Sequence, residues 1–252
     1  MRDKIWRLLP LIETNASMQM AIDEAILTTR AKEKVPNTLR FYTWKPQAVS
    51  IGYFQSAEKE VNLENLKSYN VDLVRRITGG GAVFHDKEIT YSIVISEKDA
   101  PYDIQESYEK ICNALIIALN NLGLNSEFRK INDILVNGKK ISGSAQTRKE
   151  GIILQHGTLL LDLDVEKMFS LLRVPDEKIR DKMISSVKER VTSVKKELGR
   201  EVSIDEIRNL LINGFSENFS VSFSEENLTS EEKKLSERLQ RKYLSEEWTF
   251  KR

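Results

Sequence analysis

The stretch RRITGGGAVFHD, Arg75 to Asp86, places three adjacent glycines after two arginines and before a short run of β-forming residues. It is not a P-loop, because no Gly-Lys-Ser/Thr follows, and no helical pattern opens after it as a dinucleotide fingerprint requires. Glycines between two strands let backbone N–H groups converge on an anion or a carbonyl without a Cβ in the way. The simpler alternative is a tight turn with surface arginines, since clustered glycines are typical of turns.

The charged residues beside the glycines leave the same two alternatives open. Arg75 and Arg76 alternate across the pleat, so one of them can point toward the group that the glycines hold. His85 also fits a hydrogen-bonded histidine near a strand end, and Asp86 also fits a turn-capping residue. Neither has a sequence neighbour that would form a nucleophile–base pair.

Hydrophobic patterning around this stretch predicts strands in the first two thirds of the chain and helices after about Asp162. Strands are predicted at 5–12, 38–44, 48–55, 71–77, 88–96 and 152–162. Helices are predicted at 17–34, 62–69, 108–122 and in the region after 164. The predicted fold class is therefore α+β, or mixed α/β.

Local signals fix several boundaries within this pattern. The Asn137-Gly138 pair is the preferred type I′ hairpin turn, and Gly123 suits the left-handed position that ends a helix. Ser203 and Thr229 each begin a four-residue segment that ends in Glu and has the capping-box form. Two further helix starts are therefore expected in the last quarter of the chain.

Composition excludes several classes of protein. The chain has 252 residues, 40% of them hydrophobic, and a formal net charge of +1, so no bulk field attracts nucleic acid or an anionic membrane. Its single cysteine, Cys112, cannot form an intramolecular disulfide or a zinc cluster, and it fits a buried core thiol. No signal peptide or membrane span is evident, so we expect a cytoplasmic protein.

The segment NDILVNGKKISGSAQTR (132–148) carries a second group of candidate functional residues. Strand alternation predicts that Lys140 shares a face with Ser142, while Ile141 points the other way. An ammonium beside Ser142-Gly143-Ser144 can meet a carboxylate or a phosphate; the alternative is a solvated hairpin. His156 is flanked by apolar residues, which favours a core histidine with both ring nitrogens hydrogen-bonded.

Taken together, these segments resemble the lipoate–protein ligase catalytic domain, a member of the biotinyl/lipoyl ligase fold with a class II synthetase-like sheet flanked by helices. The resemblance follows the chain order through MQMAIDEAI (18–26), WKPQAVSIGYFQ (44–55), RRITGGGAVFHD (75–86), NDILVNGKKISGSAQTR (132–148) and ILQHGTLLLDLD, and weakly through SSVKERVTSV and EEWTF. It implies one catalytic domain over residues 1–252, without the accessory C-terminal domain of larger members. A separate small accessory subunit is therefore expected.

The resemblance implies a two-step reaction. Lipoate and ATP form lipoyl-adenylate, and the lipoyl group then passes to a lysine of a carrier domain, of a 2-oxoacid dehydrogenase E2 or a glycine cleavage H protein. The implied ATP- and adenylate-binding residues are Arg76, Gly79, Gly80, Gly81, Ala82, Val83, Phe84 and Lys140. Lipoate is expected at Lys140, His85, Thr78 and Gly80, and Mg²⁺ bridges the phosphates with Asp133 as a candidate ligand.

Lys140 is the implied catalytic residue, and its chemistry agrees with that role. Attack of a carboxylate on an α-phosphate brings two anions together, and a fixed ammonium offsets their repulsion. Loss of one such group costs on the order of 3–4 kcal/mol of transition-state stabilisation. The lipoyl tail is apolar, so aliphatic and aromatic side chains should line its pocket.

Three alternatives to the ligase remain. An octanoyl or lipoyl acyltransferase of the same fold moves acyl groups between carriers without ATP, but it uses a cysteine near the segment that here reads SEFRKIND (126–133). Because no cysteine occurs in that segment, the ligase is favoured over the acyltransferase. A biotin ligase lacks support because its Gly-Arg-Gly-Arg loop is missing. The presence of Lys140 and of the intact glycine run argues against a non-catalytic lipoate-binding module.

Overall fold

The computed structural model describes residues 4–173 and 177–251, which form a mixed arrangement of two sheets and flanking helices. The strands of this part are β1 Lys4–Leu8, β2 Ile12–Thr14, β3 Thr38–Trp44, β4 Ala48–Ile51, β5 Asp72–Arg75, β6 Val83–His85, β7 Glu88–Ser96, β8 Ser126–Arg129, β9 Asp133–Val136, β10 Lys139–Lys149, β11 Ile152–Leu160 and β12 Val221–Glu225. The fold class predicted from the sequence is confirmed.

The helices separate these strands in the first half of the chain and dominate the second half. They are α1 Ala16–Ala31, α2 Ala57–Glu60, α3 Leu63–Ser68, α4 Ile104–Asn121, α5 Val165–Leu171, α6 Glu177–Arg190, α7 Val194–Leu198, α8 Ile204–Phe219, α9 Ser230–Leu244 and α10 Glu246–Thr249, with a short 3₁₀ helix at Glu97–Asp99. No helix in the described ranges is both long enough and apolar enough to cross a membrane.

The larger sheet has the order β12-β1-β3-β7-β11-β10-β9-β8, with β2 paired to β3. In that order, the neighbouring strands β3, β7, β11, β10, β9 and β8 all pair antiparallel. Strand β1 pairs parallel with both β12 and β3. One face packs on α4 and α8 through a core that includes Ile93, Leu115 and Phe215. The other face meets α1 and leaves space for the candidate site.

The smaller sheet, β5-β4-β6, carries the glycine stretch between its strands β5 and β6. β4 was predicted to continue to residue 55 but ends at Ile51, because the chain turns at Gly52 to pack against the glycines. A Cβ on Gly52 would lie 2.0 Å from the carbonyl oxygen of Gly80, so only glycine allows this approach. The close packing fixes one side of the glycine stretch.

Caps and turns follow the local sequence signals closely. Thr229 and Glu232 form a complete capping box at the start of α9, whereas at Ser203 only the serine side chain caps, accepting from the Glu206 N–H. Asn137 and Gly138 have φ of 50° and 72°, as a type I′ turn requires. Helix α1 begins at Ala16, where the Asn15 side chain accepts from the N–H of Met18.

Candidate active site

A cavity of about 330 Å³ lies between the two sheets, and the two predicted groups of functional residues meet on its walls. The hairpin strand β10 contributes Lys140 to one wall. The residues of the glycine stretch that line the cavity are Arg76, Gly80, Gly81, Ala82, Val83, Phe84 and His85. Gly79 lines a neighbouring cavity instead, and Thr78 is fully buried behind the wall.

The backbone of the glycine stretch needs glycine at its centre. Gly80 has φ of 94°, in the left-handed region, and a Cβ there would lie 3.0 Å from Arg76 Nη2. Gly79 and Gly81 face open space, where no heavy atom lies within 4 Å of an added Cβ. Main chain therefore forms this wall, and a ligand can contact it closely.

The Arg76 guanidinium holds this backbone in place. Its Nη2 donates to the carbonyl oxygens of Gly79 and Gly81 at 2.8 and 2.7 Å, and its Nη1 donates to the carbonyl and hydroxyl of Ser50 at 3.1 and 3.0 Å. Burial lowers the pKa of Arg76 to about 10, so the group stays charged at neutral pH. These four hydrogen bonds connect β4 to the glycine stretch; contact of Arg76 with a nucleotide stays a prediction.

Lys140 lies on the cavity wall because of a bulge in β10 between Lys140 and Ser142. The prediction that Lys140 shares a face with Ser142 is wrong. Ser142 pairs with Ile134 of the core, Ile141 is also buried in that core, and Lys140 instead lies over Gly143. A Cβ on Gly143 would lie 2.8 Å from the Lys140 ammonium. The bulge and this glycine together provide the space for the ammonium.

The only carboxylate paired with Lys140 among the described residues is Asp133, whose Oδ1 lies 2.6 Å from the ammonium. The contact is an ion pair that does not meet the geometry of a hydrogen bond. The Lys140 side chain is 42% exposed. The described residues contain no group of three His, Cys, Asp or Glu side chains placed to hold a metal ion. Metal binding by Asp133 stays a prediction.

His85 forms part of the cavity wall, and both of its ring nitrogens are hydrogen-bonded. Its Nε2 lies 2.7 Å from the Ser50 hydroxyl and its Nδ1 lies 2.6 Å from Glu88 Oε1. Because Ser50 accepts from Arg76, its own proton is available for His85, so Nδ1–H donates to Glu88. Trp44 stacks on the imidazole with ring centroids 3.9 Å apart. His85 thus presents a rigid flat ring to the cavity.

His156 also lines the cavity, and its two ring nitrogens are both hydrogen-bonded. Nδ1 lies 3.0 Å from Asp23 Oδ2 and Nε2 lies 2.7 Å from the Thr78 hydroxyl. Burial would raise the pKa of Asp23, but Arg40 at 2.9 Å and then His156 hold it below its ordinary value. Burial lowers the pKa of His156, so the imidazole is neutral at pH 7.

Cys112 lies outside the cavity, on helix α4. Its side chain is fully buried, and the Sγ lies 3.7 Å from the Ser144 hydroxyl. Burial raises the pKa of the thiol to about 11, so the reactive thiolate is nearly absent at neutral pH. The only thiol of the chain is therefore a core group, as the sequence predicted.

Several cavity residues were not identified from the sequence. The expected core histidine, His156, is buried and hydrogen-bonded, but it also reaches the cavity. Its alternation with Thr158 in an apolar strand is a signal that could have located both on one face. No sequence signal identified Trp44, Ser50 and Thr90, which reach the site only through the packing of the two sheets.

The model of the family described as the lipoyl protein ligase A/B catalytic domain matches residues 15–216. The chain is 40% identical over 273 positions to an octanoyltransferase LipM of Brevibacillus brevis, covering 98% of this chain and 99% of the relative. A LipM of Bacillus subtilis is 34% identical over 278 positions, covering all of both chains. These alignments exceed the 252 residues of this chain, so the relatives contain residues that it lacks.

Solved structures show the same fold. A bipartite lipoate protein ligase of Thermoplasma acidophilum, studied with its E2 lipoyl domain, is 38% identical with a TM-score of 0.89, covering 98% of this chain and 96% of that one. A lipoate-protein ligase A bound with ATP is 35% identical with a TM-score of 0.84, covering 99% of both chains. The predicted lipoate-ligase-like fold is confirmed.

The prediction of an ATP-dependent lipoate ligase is wrong, because relatives that align over nearly their whole length are octanoyltransferases. That prediction placed the ligase first because a cysteine is absent from residues 126–133. Identity to these octanoyltransferases over nearly the whole chain outweighs the absence of one residue from one segment. The chain is an enzyme of the lipoyl/octanoyl transferase type and belongs to the lipoyl protein ligase A/B catalytic-domain family.

Proposed function

We propose that this enzyme transfers an octanoyl group from the thioester of a donor carrier protein to the lysine amine of a lipoyl carrier domain, without nucleotide activation. The observation that carries the proposal is the meeting of Lys140 and the bare glycine backbone on one cavity, in a chain 40% identical to an octanoyltransferase. The acceptor is proposed from the E2 lipoyl domain that accompanies the Thermoplasma ligase.

The cavity supplies both parts of an acyl-transfer site. Leu160, Met168, Val187 and Val191 give it an apolar surface for the eight-carbon chain. Lys140 supplies a positive charge for the oxygen of the thioester carbonyl, which becomes an oxyanion when the acceptor amine attacks. Asp133 holds the ammonium in the free enzyme, and its partly exposed position lets Lys140 exchange that carboxylate for the substrate. The glycine backbone allows the reacting group to approach closely.

We propose that the acceptor amine attacks the thioester directly, without an acyl-enzyme intermediate. Cys112 is buried outside the cavity and its high pKa keeps it protonated. In a direct reaction the C–N bond forms, the C–S bond breaks, and the proton lost by the amine ends on the departing thiol. A thioester is already activated, so this sequence balances without ATP.

The test mixes the pure chain with an octanoyl thioester of acyl carrier protein and an apo lipoyl domain, and follows the lipoyl domain by intact-mass spectrometry. We expect octanoylation of one lysine without nucleotide. A parallel reaction receives free octanoate or lipoate with ATP and Mg²⁺. Modification only in that second reaction would overturn the proposal. An accessory subunit is not part of this proposal, and octanoylation by the pure chain would contradict the expectation that one is needed.

A further inference from the structure

The acceptor lysine sets a geometric condition on the surface around the cavity. Its amine stands on a four-carbon stem, so a folded carrier domain that brings this amine to Lys140 must contact the enzyme at the cavity mouth. The contact surface therefore lies among exposed side chains beside residues that line the cavity. Exposed apolar side chains that lie together mark such a surface, because soluble proteins seldom leave large apolar groups clustered in water.

The segment between β8 and β9 joins the cavity to the outer surface. Asn132 lines the cavity and is fixed against β10, since its side-chain amide donates to the carbonyl of Ser144. Its own carbonyl accepts from the Ser144 N–H at 3.1 Å. The preceding residue, Ile131, is 67% exposed. An exposed isoleucine therefore stands directly beside the wall that carries Lys140.

The start of helix α4 adds two more exposed apolar residues beside Ile131. Tyr102 is 90% exposed and Ile104 is 60% exposed. Gln105 Nε2 donates to the carbonyl of Ile131 at 2.9 Å, which holds the helix start against the segment. Arg148 of β10 donates to the carbonyl of Tyr102 at 2.7 Å. Tyr102, Ile104 and Ile131, which we call the rim patch, are thus positioned before a partner binds, and this reduces the entropic cost of binding.

The two sides of the rim patch carry opposite charges. On the side of β8, Arg129 and Lys130 directly precede Ile131, and both are exposed. On the side of α4 are Asp103, which caps the helix by accepting from the N–H of Glu106, and the exposed Glu106 itself. Complementary charges attract a partner and fix its orientation. The rim patch therefore fits a partner with an apolar centre and with carboxylates on the side that faces β8.

We propose that the rim patch, with Arg129 and Lys130 beside it, is the docking surface for the acceptor lipoyl domain. This inference rests on the proposed octanoyl transfer. The acceptor is assigned to the patch rather than the donor, because the acyl group of a carrier-protein thioester stands on a long prosthetic arm and reaches the cavity from a more distant contact. The acceptor lysine passes Asn132 and reaches the carbonyl at Lys140, while apolar side chains of the domain cover the rim patch.

The test replaces two residues of the rim patch together, Tyr102→Ser and Ile131→Ser, and measures transfer to the lipoyl domain and to hydroxylamine, which needs no docking surface. The KM for the lipoyl domain should rise by about tenfold or more, since a few buried anchors carry most of the affinity of an interface. The KM for the donor should stay within about twofold of wild type, because only binding of the acceptor is weakened. At low concentrations of the lipoyl domain, the ratio of its rate to that of hydroxamate formation should fall by about tenfold or more.

Two single variants sharpen the test. Leu244→Ser is the matched control, because Leu244 is 67% exposed on α9 and is not among the residues that line the cavity. It should leave the KM values for both carriers unchanged. Lys130→Glu should raise the KM for the lipoyl domain, and the increase should shrink as the ionic strength rises, because salt screens exposed charges.

An unchanged KM for the lipoyl domain in the double variant would overturn the inference. An equal loss with hydroxylamine, or a raised KM for the donor alone, would also overturn it. Calorimetric titration of the apo lipoyl domain into the free enzyme measures docking without catalysis, and the double variant should weaken that binding by about tenfold or more. Wild-type enzyme that binds the domain through the rim patch but transfers no octanoyl group would overturn the proposed function alone.

Discussion

The two sides of the cavity are held in opposite ways. On the glycine side, Arg76 is 5% exposed and its terminal N–H groups bind protein oxygens, so the wall is formed before any ligand arrives. On the hairpin side, Lys140 is 42% exposed and forms an ion pair with Asp133, its one partner among residues 4–173 and 177–251. The buried cation therefore maintains the shape of the wall, while the half-exposed cation is the one available to substrate.

Replacing the available cation should have the largest effect on activity. We expect Lys140→Ala to lower kcat for octanoyl transfer by about 10²–10³-fold, because the oxyanion loses its charged partner. Steady-state rates with the thioester donor measure this loss. Lys139→Ala is the matched control, since Lys139 is the neighbouring lysine and does not line the cavity; a similar loss in both variants would contradict the distinction.

Replacing the structural cation should mainly reduce stability. Arg76→Lys keeps the charge but cannot reproduce the planar fork that reaches both Ser50 and the glycine carbonyls. We expect the free energy of unfolding to fall by about 2–4 kcal/mol, since hydrogen bonds from a buried charged group are lost. Urea denaturation measures the change. Unchanged stability together with weakened donor binding would show that Arg76 contacts substrate instead.

Acid should destabilise the histidine network. The pKa of His156 is lowered from 6.5 by burial, so below that pH the unfolded chain binds a proton before the folded one does. Asp23 has a lowered pKa and loses its stabilising contribution at still lower pH, as it protonates in the folded state. We expect the free energy of unfolding to fall as the pH drops below about 6.5. His156→Gln should flatten the first part of this fall, and an unaltered profile would contradict the assignment.

The smallest effect is expected at the thiol. Cys112→Ser should keep transfer within about twofold of wild type, because Cys112 lies outside the cavity and is protonated at neutral pH. Iodoacetamide should likewise leave the native enzyme unmodified and active at pH 7.5. Loss of activity in the serine variant, with its fold intact, would show that the thiol takes part in transfer.

The sequence predicts well those helix and strand boundaries that depend on interactions between residues close together in the chain. Strand β3 and strand β7 match their predicted ranges, because alternation, burial and turn residues all agree there. The end of β4 at Ile51 was missed because it depends on the approach of Gly52 to Gly80, a contact between distant segments. Helix starts at Asn62, Ser203 and Thr229 were predictable because each capping side chain accepts from an N–H only three residues further along the chain.

The site was only partly predictable. The glycine stretch and Lys140 were identified as candidates, and the structure brings them to one cavity. Alternation gave the wrong face for Lys140 because the sequence does not show the bulge. The partners of His156 lie 78 and 133 positions away along the chain, so only the fold brings Thr78 and Asp23 to it. Local patterns thus identify candidate residues, but contacts between distant parts of the chain determine what those residues do.

We propose above all that the lipoyl domain is octanoylated directly from a thioester at the Lys140 cavity. Rapid-quench intact-mass spectrometry of wild-type enzyme, octanoyl thioester and apo lipoyl domain, without nucleotide, tests it most directly. We expect the lipoyl domain to gain one octanoyl group while the mass of the enzyme stays constant throughout. Accumulation of the octanoyl group on the enzyme, or an unmodified lipoyl domain until ATP and free acid are added, would contradict it.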